Sequence, residues 1–104
     1  MNKIEDLPEL MIEMLDNTVV DDSVEFSDRA KEIINEIADY AEKTQIFKDN
    51  KEKGETQFEG EPARLIYGYL CDRIVNAPTT IHRDVSCILI IPFLRKAIQT
   101  EGNK

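Results

Sequence analysis

The sequence predicts an all-α fold, a small four-helix bundle, on three observations. Four stretches carry apolar residues at three-to-four spacing, capping residues and prolines mark the ends of those stretches, and only one other short β-branched stretch exists that could pair with a strand. At 104 residues the chain makes one domain, residues 1–104, with one modest core. Its 41% hydrophobic and 33% charged residues are those of a folded chain rather than a disordered one.

Asp6 is the expected cap of the first helix, with Glu9 three residues on to reciprocate and Pro8 in the first turn, where no amide hydrogen is needed. Leu7, Leu10, Met11, Met14 and Leu15 then form one apolar stripe, with Glu9, Glu13 and Asp16 off it and Asn17 as the stop. Thr18 to Phe26, TVVDDSVEF, reads as an ordered connection. Its β-branched residues on either side of Asp21-Asp22 leave a small hairpin as the alternative. Asp22 or Ser27 caps a second helix that runs to about Gln45, with Phe26, Ala30, Ile33, Ile34, Ile37, Tyr40 and Ala41 on its inner face. Asp39 and Lys43 sit four apart in the favourable order, which adds roughly 0.3 kcal/mol.

Lys48 to Glu61, KDNKEKGETQFEGE, holds eight charged residues, two glycines and one large apolar residue, Phe58. So little apolar surface predicts a mobile charged loop over about 48–61, pinned back by Phe58. Pro62 opens a third helix, Ala63 to Val75, which is apolar on most sides and therefore expected at the centre of the bundle. Gly68 in its middle is expected to let a neighbouring helix approach, and Asn76-Ala77-Pro78 ends it. Thr79 or Thr80 caps the last helix, Ile81 to Gln99, with Val85, Ile88, Leu89, Ile91, Phe93, Leu94 and Ile98 as its apolar positions. Pro92 removes a backbone hydrogen bond there and clashes with the carbonyl of Ile88, which costs about 3 kcal/mol or forces a kink. Two shorter helices meeting at Pro92, or a buried strand at Cys87 to Ile91, are the alternatives.

Charge is unevenly spread. The net charge is −8, yet residues 1–61 hold seven bases against eighteen acids, −11, and the remainder six bases against three acids, +3. Residues 4–28 contain nine acids and no Lys or Arg. Such a single-sign segment attracts a basic protein surface and repels nucleic acid, so direct binding of DNA or RNA is not expected. A solvated acidic face also serves solubility alone. The candidate partner-binding residues are Glu5, Glu9, Glu13, Asp16, Asp21, Asp22, Glu25 and Asp28.

No catalytic or metal-binding signature stands out. His82 is the only histidine, and Cys71 and Cys87 have no second cysteine at chelating spacing, so neither a metal nor another cofactor is expected. His82 and Asp84 are two apart on a helix and do not face each other, and His82 lies five residues from Cys87, on a different face. The four glycines never cluster into a phosphate loop. Tyr40, Tyr67 and Tyr69 read as core edges or as the lining of a pocket or an interface, and a ligand-binding bundle would place its pocket near Tyr67, Tyr69, Cys71 and His82. The longest apolar run, Val85 to Leu94, has ten residues broken only by Ser86, against about twenty needed to span a membrane. The acidic start differs from a secretory signal, and a cytoplasmic location is expected.

In the order of its elements, Leu7–Leu15, Phe26–Gln45, Ala63–Val75 and Ile81–Ile98, the chain resembles the small immunity proteins of bacteriocin producers. The likeness lies in helix order and spacing without a motif. It departs in charge, because many of those proteins are basic, and no residue role is carried over. The leading expectation is a non-enzymatic protein that binds and inhibits or regulates another protein with a basic surface, of the immunity-protein, antitoxin or phage and viral anti-defence type. The alternative is a structural subunit that self-associates through the apolar third and fourth helices, and the third reading is a small ligand-binding bundle.

Overall fold

Short-range capping sets most of the boundaries in the computed structural model, which describes residues 7–20 and 24–102. The elements are α1 (Leu7–Asp16), β1 (Thr18–Val20), β2 (Val24–Phe26), α2 (Asp28–Glu42), α3 (Gln45–Phe58), α4 (Ala63–Val75) and α5 (Thr80–Gly102). The fold is all-α as expected, with five helices where the periodicity gave four. The expected Asp6 cap lies outside the described residues. α1 buries Leu7, Met11 and Met14 and ends where Asn17 returns its backbone and side-chain amides to the carbonyl of Glu13.

Thr18 to Phe26 is the hairpin rather than the open connection. β1 and β2 pair antiparallel with Thr18 opposite Phe26, Val19 opposite Glu25 and Val20 opposite Val24. A two-stranded ribbon is marginal alone. This one is seated by its inward side chains: Thr18 is buried and its hydroxyl donates to the carbonyl of Met14 at 2.8 Å, and the ring of Phe26 meets Tyr67 edge-on at 5.3 Å.

Of the two expected caps for α2, Ser27 serves, its Oγ accepting from the amide of Ala30 at 3.1 Å. Ala30, Ile33, Ile34, Ile37, Ala38 and Ala41 form the buried face of the helix. Asp39 is engaged by Arg95 of α5, Nη1 to Oδ1 at 2.5 Å, instead of by Lys43, and the same guanidinium reaches Glu42 at 2.6 Å. Thr44 then closes one helix and opens the next: its hydroxyl donates to the carbonyl of Ala41 and accepts from the amide of Phe47.

That new helix, α3, replaces the mobile loop expected at 48–61. Its inward positions are Phe47, Asn50, Gly54 and Phe58, spaced three, four and four apart, with the two phenylalanines buried and the middle pair half-buried. This is a helical stripe whose centre is polar and small instead of apolar. The two ring stacks of Phe47 and Phe58 on Phe93 of α5, at 5.6 and 5.8 Å, anchor it. Gly54 lies directly on Phe93, where an added Cβ would stand 2.6 Å from Cζ. Gly68, by contrast, faces open space, so it serves no helix approach.

The centre of the molecule belongs to α5, not to α4. α5 packs against α2, α3 and α4, and Cys87, Ile88, Ile90, Ile91, Pro92, Phe93 and Leu94 are all buried in it. α4 buries one side through Ala63, Ile66, Tyr67 and Leu70, while Leu65 and Val75 remain exposed. Its first amide, on Ala63, is capped at 2.6 Å by Glu101 from the end of α5. Thr79 opens α5, its hydroxyl accepting from the amide of His82. The helix runs unbroken through Pro92, so it is neither split nor a strand at Cys87–Ile91. Burying the five large side chains Ile88, Ile90, Ile91, Phe93 and Leu94 within two turns, each worth about 1.5–3 kcal/mol, outweighs the roughly 3 kcal/mol that the proline costs.

Candidate functional site

The outward stripe of α1 is Glu9, Ile12, Glu13 and Asp16, spaced three, one and three apart on the side opposite the buried Leu7, Met11 and Met14. Glu9 and Asp16 are exposed, and Ile12 between them is 59% exposed. Two residues after Asp16 the chain enters β1, whose Val19 points away from the core beside its cross-strand partner Glu25, with Val19 60% exposed. Three residues of chain reach at most about 11 Å, which bounds the separation of Asp16 and Val19. Val20 is also exposed. Asp28 begins α2, where a carboxylate favours the positive end of the helix dipole.

The structure separates these acids into two kinds. Glu13 is taken by Arg29, whose Nε and Nη2 donate to its two carboxylate oxygens at 2.6 and 3.1 Å, while Nη1 reaches Glu32 at 3.3 Å. That hydrogen bond and charge hold the Glu13 carboxyl below its ordinary range. The base-free run therefore ends at a base that folds back onto it. Glu9, Asp16, Glu25 and Asp28 make no ion pair among the described residues. Glu5, Asp21 and Asp22 lie outside the described residues.

Two exposed apolar residues, Ile12 and Val19, complete this surface and were not among the candidates. A signal for Ile12 was present in the sequence, since it falls on the polar side of the α1 periodicity between two acids. Val19 had none until the register of the hairpin was known.

The other groups weighed for chemistry are dispersed. His82 is exposed, with Nδ1 2.6 Å from the Thr79 hydroxyl, and Asp84 pairs with Arg83 at 3.2 Å. Cys87 is buried against the sulfur of Met11, and burial first, then the nearby Asp84, pushes its thiol up to about 12. Burial likewise raises the half-buried Cys71, and with Cys71 beside it the buried Tyr67 is pushed up to about 12. Thiols so raised stay protonated and are poor nucleophiles. Tyr69 stacks edge-on against Phe58 at 5.3 Å, and its hydroxyl is held down by Gln57 and by Arg73, which also lies over its ring. Tyr67, Tyr69, Cys71 and His82 thus do not line one pocket. The larger grooves, of about 370, 390 and 280 Å³, border α3 instead.

Among the described residues, no group of three or more His, Cys, Asp or Glu side chains is placed to hold a metal ion, and no helix is long and apolar enough to cross a membrane. Searches against family models, curated proteins and solved structures each found no match for this chain.

Proposed function

We propose that the chain is a non-enzymatic binding protein that inhibits or regulates another protein by docking a basic, partly apolar surface onto α1 and the β-hairpin. The observation that carries this reading is the combination of exposed Ile12 with Glu9 and Asp16, and of exposed Val19 with Glu25, in a segment without a single base from residue 4 to 28. Apolar side chains ringed by one sign of charge suit recognition: the apolar area supplies affinity, and the charge steers encounter and rejects acidic partners. An immunity protein, an antitoxin or an anti-defence inhibitor is the class of protein that works this way, and a cytoplasmic site of action fits all three.

The test is co-purification from the native cell with wild type and with Glu9→Lys, Asp16→Lys and Glu25→Lys combined. A basic protein recovered at low salt by the wild type, lost at high salt and lost by the triple variant is the expected result. Recovery indifferent to salt and to all three reversals sinks the proposal. Glu13 is left out because its reversal breaks the pair with Arg29 and so confounds folding with binding.

A second reading is favoured by one observation at the other end of the helices. Val75 and Ile81 flank the α4–α5 link at 80% and 72% exposed, and Leu65 is exposed on the same helix as Val75. Self-association through those residues would make the chain a structural subunit. Light scattering at micromolar concentration separates the readings, a monomer excluding the obligate assembly.

A further inference from the structure

Fourteen residues are ordered in α3 on two buried side chains, Phe47 and Phe58. Both rest on Phe93, and between them the inward face offers only Asn50 and Gly54. α2, one residue longer, buries six side chains. A groove of about 390 Å³ runs along α3 where it meets α5, one of about 370 Å³ lies at its C-terminal end between Phe58, Gly60 and α5, and a third of about 280 Å³ opens on the side of Asn50, Gly54 and Tyr69. Its ion pair to the body, Glu59 with Lys96 at 2.5 Å, joins two side chains that are each about half exposed, at 49% and 61%. At one end Thr44 separates it from α2. At the other, Gly60 sits at φ 82°, a left-handed conformation that glycine adopts without strain and leaves easily.

Regions with few buried apolar contacts and solvent-lined backbone open locally at a fraction of the global unfolding free energy. We propose that α3 opens as one unit about Gly60, independently of the body formed by α1, α2, α4 and α5, uncovering Phe93 and the adjoining face of α5. The opening leaves the core of the body intact, because its ten largest fully buried side chains, Ile33, Ile37, Leu70, Ile91 and Leu94 among them, all lie outside α3. Phe93, at the edge of that core, and the ring of Tyr69, which stacks on Phe58, lose their cover.

Native-state hydrogen exchange of the full chain, read by peptide fragments over increasing sub-denaturing urea, tests this directly. Interior amides of α3, Lys51 to Gln57, are expected to exchange at least about a hundredfold faster than those of Ile33–Ala38 and Ile88–Leu94, with little urea dependence. Phe58→Ala should speed α3 by about a further hundredfold and leave the α2 fragment unchanged. Ile33→Ala should do the reverse, speeding α2 and α5 by at least about thirtyfold with α3 unmoved. Exchange of α3 at the rate and urea slope of α2 and α5 overturns the proposal, and wild type alone decides this. Either substitution shifting all helices together overturns it as well.

Discussion

An added methyl group has opposite consequences at two glycines of this chain. At Gly54 a Cβ would press on the buried ring of Phe93, an overpacking that costs about 1–3 kcal/mol against at most about 1 kcal/mol of gained helix propensity. Gly54→Ala is therefore expected to lose about 1 kcal/mol. Gly68→Ala, set in open space on an exposed helix face, is expected to gain about 0.5–1 kcal/mol. Urea midpoints of the two variants check the difference in sign. The role of Gly68 was misread because helix periodicity says that a residue is helical, not which way it faces when apolar residues lie nearly all round.

Two buried acids set the alkaline limit of the fold. Below their ordinary values, 9.0 for Cys87 and 10.0 for Tyr67, both groups are neutral whether the chain is folded or unfolded. Above those values the unfolded chain ionises first while burial keeps the folded groups neutral up to about 12. Stability is then lost progressively as pH rises from about 9 to 12. Tyr67→Phe is expected to flatten the part of this decline above pH 10, measured by urea unfolding at a series of pH values. Glu13 acts in the opposite sense: its lowered carboxyl favours folding above pH 4.5 and loses that contribution as the medium turns acid.

At the scale of elements, the proline in α5 gives the sharpest expectation. Pro92→Ala restores an amide for the carbonyl of Ile88 and removes the ring clash, worth about 3 kcal/mol, and forfeits about two buried methylenes at roughly 0.8 kcal/mol each. A net gain of about 1 kcal/mol should appear in the urea midpoint, and a loss would mean that the proline ring fills space no helix hydrogen bond can repay. α1, α2, α4 and α5 were legible because their apolar residues recur with the helical period and their ends carry Ser27, Pro62 and Thr79. α3 was not, because its inward stripe reads Phe, Asn, Gly, Phe, and a hydrophobic pattern cannot register a polar, small centre. Phe47 and Phe58, eleven residues and three turns apart, were the trace it left in the sequence. The hairpin was legible only as the alternative for another reason: Asp-Asp-Ser between its strands is not one of the short turn signatures, and the support that Tyr67 gives Phe26 comes from a residue distant in sequence.

Over the whole molecule, tertiary pairing accounts for part of the charge asymmetry and leaves the rest standing. Two bases of the C-terminal half are spent on acids of α2 and of the end of α3: Arg95 on Asp39 and Glu42, and Lys96 on Glu59, the residue that caps α3. Within the N-terminal segment only Glu13 is paired among the described residues, by Arg29 just beyond it. The excess acid at Glu9, Asp16 and Glu25 is therefore local to α1 and the hairpin, beside exposed Ile12 and Val19. The sequence alone located the segment. It did not distinguish the acid that holds α1 to α2 from the acids that face outward, because that distinction depends on where Arg29 lands in three dimensions.

Capture of a basic partner by this acidic, partly apolar face is tested most directly by association kinetics with the recovered partner. Rate constants would be measured for wild type, for the Glu9→Gln, Asp16→Gln and Glu25→Gln triple variant, and for Ile12→Ser, across ionic strengths from about 20 to 500 mM. The expected result is an association rate that falls steeply with salt for wild type and much less for the triple variant, with Ile12→Ser raising the dissociation rate instead. Equal salt dependence for wild type and triple variant, with dissociation unaffected at Ile12, would contradict the claim.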